Sequence, residues 1–152
     1  MTAPGQEHNH FGGSERAPIT LLTTLHLLSG PPESSTINCT LSYDPNDPYV
    51  IRLELLIAED MRVTWVVGRD LLYAGTEGLS GDGDFKVWPS RGGYHHSTLY
   101  LQLKRPNSVA TFATNLRAVR HWLQDTYTLV PHGTESALLD WAALAQSLLP
   151  PA

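Results

Sequence analysis

Two hydrophobic periods run through this chain in succession, and the place where one gives way to the other decides its fold class. Ile19, Leu21, Leu25 and Leu27 alternate with Thr20, Thr24 and His26. Tyr49, Ile51, Leu53, Leu55 and Ile57 alternate with polar neighbours that include Arg52 and Glu54, and Met61, Val63, Trp65 and Val67 with Arg62 and Thr64. Leu99, Leu101 and Leu103 form the cleanest run, interleaved with Thr98, Tyr100, Gln102 and Lys104. A period of two marks strands that bury one face. Residues 37–43 and 85–88 add two shorter strands, the latter stopped by Pro89.

After Pro106 the spacing turns helical. Val109, Phe112, Leu116, Val119 and Leu123 recur on one side of a 3.6-residue period, with Arg117, Arg120 and Gln124 left for water. Asn107 or Ser108 can cap the start of this helix. A linker with Pro131 and Gly133 leads to a last helix capped by Thr134, carrying Leu138, Leu139, Ala142, Ala145, Leu148 and Leu149. Strands first and helices last predict an α+β fold: a twisted antiparallel sheet, a short helical turn inserted at residues 68–75 and capped by Gly75, and two C-terminal helices packed on the sheet.

The breaks agree with that order. Gly30-Pro31-Pro32 ends the first strand, and the prolines and Asx residues of 44–48 make a turn. Glu59-Asp60 closes a hairpin, and residues 78–83 read as a flexible glycine loop. Residues 1–17 are short of large apolar side chains and read as a disordered N-terminal arm, leaving 18–152 as one domain. No stretch approaches the roughly 20 apolar residues that span a bilayer, and no signal peptide is recognisable, so any membrane contact is expected to be indirect, through partners. Without a signal peptide, Asn38-Cys39-Thr40 reads as a chance match to a glycosylation sequon.

Charge narrows the function. With Lys+Arg 10 against Asp+Glu 15 the net charge is −5, which argues against a phosphate-neutralising nucleic-acid binder and against docking on an anionic membrane. A single cysteine, Cys39, excludes an intrachain disulfide and fits a reducing, cytoplasmic setting.

A search for chemistry finds little. A calcium loop begun at Asp44 would need glycine at its sixth position and glutamate at its twelfth; Tyr49 and Leu55 stand there. Adjacent His95 and His96 would point to opposite sides of a strand, and His121 and His132 are isolated in sequence, so no metal site is predicted. There is no Gly-x-Ser-x-Gly elbow and no phosphate-binding Gly-x-x-x-x-Gly-Lys loop. Cys39 reads as a buried strand residue, with a dyad assembled only in three dimensions left open. No catalytic residue and no cofactor is predicted.

One surface does stand out. If Leu99, Leu101 and Leu103 face the core, Tyr100, Gln102 and Lys104 face outward, and Trp88 and Lys86 share that side. Aromatics mixed with arginine are the composition of binding hot spots. Arg62, Trp88, Tyr100 and Lys104 are therefore the candidate interface, with cover by the arm or a loop, and burial of Trp65 and Trp88 in the core, as the alternatives.

Several stretches resemble the SsgA-like proteins. Tyr43-Asp44 followed by Asp47-Pro48-Tyr49, Trp65 ahead of Gly68-Arg69-Asp70-Leu71-Leu72, and Gly81-Asp82-Gly83-Asp84 leading to Val87-Trp88-Pro89-Ser90 occur in the family's order and spacing. Val130-Pro131-His132-Gly133-Thr134-Glu135 is similar to the family's linker, where a second proline usually replaces His132. The likeness covers roughly residues 19–149. It implies a whirly-like fold, a trimer, and a non-enzymatic role in sporulation-specific cell division of actinobacteria: marking septum sites and recruiting the FtsZ ring together with other SsgA-like or septal proteins. Single-stranded nucleic-acid binding, with Trp88 and Tyr100 as stacking platforms, is the alternative that a whirly-like fold raises.

Overall fold

The computed structural model describes residues 17–29, 36–90 and 97–138, with 145, 146 and 148. Seven strands form one antiparallel sheet: β1 (Ile19–Leu27), β2 (Thr36–Tyr43), β3 (Val50–Ala58), β4 (Met61–Gly68), β5 (Phe85–Pro89), β6 (Thr98–Arg105) and β7 (Ser108–Asn115). Their spatial order is β4-β3-β2-β1-β7-β6-β5. Two meanders, β1 to β4 and β5 to β7, thus meet where β7 lies beside β1, with His26 opposite Ala113 and Leu27 opposite Phe112. A short helix α1 (Arg69–Gly75) joins the meanders, and α2 (Leu116–Leu129) follows the second. No described helix is long and apolar enough to cross a membrane.

The period-two runs become strands because each has one side to bury. Leu25, Cys39, Leu41, Tyr43, Ile51, Leu53 and Leu55 come inward from β1 to β3; Phe85, Val87, Leu99, Leu101, Leu103 and Phe112 come inward from β5 to β7. Val119, Trp122 and Leu123 bring the buried stripe of α2 onto the same core. The sheet curls around it. Leu55, Ile57, Val63 and Trp65 line one small cleft with Leu103 and Phe112, although β2 and β1 separate these strands in the sheet.

Three expectations need correction. Residues 108–115 are a strand: β7 pairs with β6 in continuous register from Thr98 opposite Asn115 to Arg105 opposite Ser108. Val109 and Phe112 match helical spacing, but Ala110, Phe112 and Thr114 alternate inward as strand residues do. The helix begins only at Leu116, and its cap is Asn115, whose side chain accepts a hydrogen bond from the Ala118 N–H at 2.9 Å; Asn107 and Ser108 have no part in it. Gly75 is not a left-handed cap, since the described glycines with positive φ are Gly81, Gly83 and Gly133. A Cβ at Gly75 would sit 2.1 Å from Val87 Cγ1, so glycine is there to let α1 touch β5.

The inserted helical turn is present as α1. Of the last helix, the described part opens as a 3₁₀ turn, Glu135–Leu138, and most of its expected length lies outside the described residues, as do the N-terminal arm, His95 and His96. The glycine loop is built around a bridge: Ser80 and Val87 exchange two backbone hydrogen bonds of 2.9 Å, with Gly81 and Gly83 supplying the positive φ between them.

Candidate functional site

Trp88 and Tyr100 stand opposite each other on β5 and β6, and their rings stack at 5.7 Å between centroids and 24° between planes. Lys86 lies one alternate position along β5, opposite Gln102, and the exposed Lys104 two alternate positions along β6 from Tyr100. Trp88 and Lys86 border a surface cleft of about 670 Å³ with Leu79, which is 73% exposed. Trp65, by contrast, packs against the core. Arg62 is not brought to this patch. It lies on the edge strand β4, with four strands between it and β6 in sheet order, and its guanidinium is held by Glu54 at 3.1 Å.

The most constrained polar group stood in the sequence only as a member of the Gly68–Leu72 motif, with no role of its own. Arg69 is 1% exposed, at the first position of α1. Its N–H donates to the Tyr49 carbonyl at 2.8 Å, and Nη1 donates to the Thr126 carbonyl at 3.0 Å. Nη2 donates to Glu135 Oε2 at 3.0 Å, and Glu135 is itself 4% exposed. The guanidinium lies over two rings, 4.8 Å from the centroid of Tyr43 and 4.0 Å from that of Tyr127. Tyr43 in turn donates its O–H to the Pro48 carbonyl at 3.0 Å. Every segment from Tyr43 to Tyr49, the start of α1 and the 130–135 linker therefore converges on one buried cation. A signal existed: the inward positions 63, 65 and 67 of β4 run in phase with 69.

Burial alone would raise the Glu135 carboxyl, but hydrogen bonds from its own N–H and from Gly133, with Arg69 beside it, hold it below the usual carboxylate range. Tyr127 moves the other way. Burial, and then the Asp70 carboxylate that accepts its O–H at 2.5 Å, push the phenol upward, so it remains a proton donor and is no base.

His132 is isolated in sequence but not in space. Its Nδ1 is 3.3 Å from Asp70 Oδ1, and ligand atoms of Asp70, His132 and Glu135 lie within 4.8 Å of one another. Asp70 already accepts from Tyr127 and Glu135 from Arg69, so the group is an ion-pair network around a fixed guanidinium and not a set of free metal donors. Among the described residues His121 reaches only Asp125, 3.9 Å away and exposed. Residues 44–48 form the expected turn, with Asp44 Oδ1 accepting from the Asn46 N–H at 2.9 Å. Cys39 is buried on β2, and burial, with the Glu54 charge, pushes its thiol up to about 12. It is a neutral packing residue, not a nucleophile.

Residues 37–135 match the family model described as "Streptomyces sporulation and cell division protein, SsgA". The chain belongs to the SsgA-like family. The matched span contains the whole Arg69 network and the Trp88–Tyr100 stack. Among SsgA-like relatives, the sporulation-specific cell division protein SsgB of Thermobifida fusca is 35% identical over 100 residues, covering 66% of this chain and 72% of the relative. SsgB of Streptomyces coelicolor is 33% identical over 116 residues, covering 76% and 84%. The crystal structure of an SsgA-like sporulation-specific cell division protein from Thermobifida fusca superposes with a TM-score of 0.75 at 31% identity, over 90% of this chain and 98% of that one. A solved SsgB structure, described with longitudinal cell division during sporulation of Streptomyces coelicolor, gives 0.74 at 30% identity, over 84% and 99%. Membership places the chain among actinobacterial proteins of cell division during sporulation.

Proposed function

We propose that this chain is a non-enzymatic adaptor of sporulation septation, cytoplasmic and concentrated at the septum, which assembles with copies of itself as a trimer and helps position the FtsZ ring. The observation that carries the reading is the Trp88–Tyr100 stack. These are two large rings on the outer side of β5 and β6, beside a cleft and flanked by Lys86 and Lys104, where the core has no use for them. Aromatic pairs with adjacent cations are what dominate binding energy at protein interfaces. The names of the relatives support the setting, and the Arg69 network supplies rigidity rather than reactivity. Any membrane contact in this reading is made by the partners.

The test is association. Light scattering on the purified chain should give a mass above the monomer, and co-sedimentation with FtsZ polymers should retain it in the pellet. Trp88→Ala or Tyr100→Ala should weaken one or both by about 2 kcal/mol. A monomer that ignores FtsZ sinks the proposal. The same stack with its lysines also suits single-stranded nucleic acid. The net charge of −5 opposes that reading, and salt-sensitive retention of oligonucleotides in filter binding would promote it over the adaptor.

A further inference from the structure

A second recess lies between α1 and α2, sharing only Glu77 with the cleft beside Trp88. Asp70, Tyr73 and Ala74 on α1, and Gln124, Tyr127 and Thr128 on α2, stand three and four residues apart, with Glu77 just past the end of α1 and Pro131 and His132 just past the end of α2. That spacing puts each set on one side of its segment. The result is a groove of about 590 Å³ that opens to solvent.

Its walls are aromatic and its rim is acidic. The Tyr73 and Tyr127 rings stand nearly perpendicular, at 5.3 Å and 79°, and His132 closes the corner with its ring 6.3 Å from that of Tyr127. Asp70 and Glu77 are exposed beside them, and among the described residues no lysine or arginine lines the groove. Arg69, beneath Tyr127, is neutralised by Glu135, so it does not cancel the rim. Arg120 reaches Glu77 only at 3.8 Å between exposed side chains, a contact that solvent weakens.

Perpendicular aromatic rings with neighbouring carboxylates accept a cation. An open groove would leave a small molecule half in water, whereas pockets for small ligands bury most of their surface. We infer that this groove docks a peptide segment of a partner protein, with a lysine or arginine side chain laid against Tyr73 and Tyr127 and Asp70 and Glu77 as its counter-charges. Apart from Glu77, which borders both, the groove and the Trp88 platform have different residues, so Tyr73 and Trp88 variants test them separately.

The probe is a set of capped peptides that differ only at a central residue, lysine, norleucine or glutamate, between leucines. They are titrated into the isotopically labelled full chain and followed by amide chemical shifts. The lysine peptide should move resonances of α1 and the end of α2 and bind at least about fivefold tighter than the norleucine peptide. Glu77→Gln, a surface change that leaves the fold alone, and Tyr73→Leu should both weaken it, and Trp88→Ala should not. Absence of binding, equal binding of the norleucine or glutamate peptide, or shifts confined to β5 and β6 would overturn the inference.

Discussion

Arg69 shows how much one residue can organise. An isolated cation buried among strands and helices would be costly, and here two rings, a carbonyl and Glu135 offset that cost. Glu135→Gln leaves the guanidinium without its counter-charge and should lower the free energy of unfolding in urea by about 3 kcal/mol. Pairing it with Arg69→Met should recover part of that loss, because neither charge is then stranded. If the double variant is less stable than the sum of the singles, the pair is not what holds this region. Cys39 gives a second residue-scale prediction. With its thiol pushed up to about 12, no thiolate forms near neutrality, and a disulfide reagent at mildly alkaline pH should modify it only after denaturant is added. Rapid reaction in the native protein would contradict its burial. The two residues differ in how readable they were. Cys39 declared itself by its place in an apolar alternation, whereas an arginine in a charged motif reads as surface until three distant segments are seen to close over it.

At the scale of elements, the strands were legible because each buries alternate side chains against one core, so pattern and structure share a cause. The boundary between β7 and α2 was not. Val109, Phe112 and Leu116 happen to fall at helical spacing across a strand and the first turn of a helix. The deciding information is the partner strand: β6 takes up the backbone groups of residues 108–115, and only past Asn115 must the chain satisfy its own. Asn115→Ala should therefore cost about 1 kcal/mol, and Asn107→Ala much less; equal losses would restore the earlier helix start. Gly75 was misread for a related reason. Its role is set by Val87 across the gap, not by local dihedral preference. Gly75→Ala should destabilise by about 2 kcal/mol through overpacking, and Val87→Ala in the same chain should relieve part of it. A double variant no better than additive would show that α1 can shift away freely.

The outward stack was legible because register follows from alternation, whereas the inter-helix groove was not, since it depends on how α1 and α2 sit together. The same dependence makes the whole molecule sensitive to acid. Arg69 reaches Thr126 and Glu135 across 57 and 66 residues of sequence, fastening the end of the first meander to α2 and the linker. The folded Glu135 carboxyl titrates below its unfolded value, so the folded state binds its proton less readily than the unfolded chain does. Its contribution to stability is complete above the unfolded value, about 4.3, and is lost as pH falls from there through the lower folded value. Thermal melts of the wild type should thus be flat toward neutrality on this account and fall in that acid window. Glu135→Gln starts from a lower melting temperature and lacks this titration, so the gap between the two proteins should narrow as pH drops. Were the gap to stay constant into strong acid, the Arg69–Glu135 pair would not be the acid-labile fastening between the two halves of the chain.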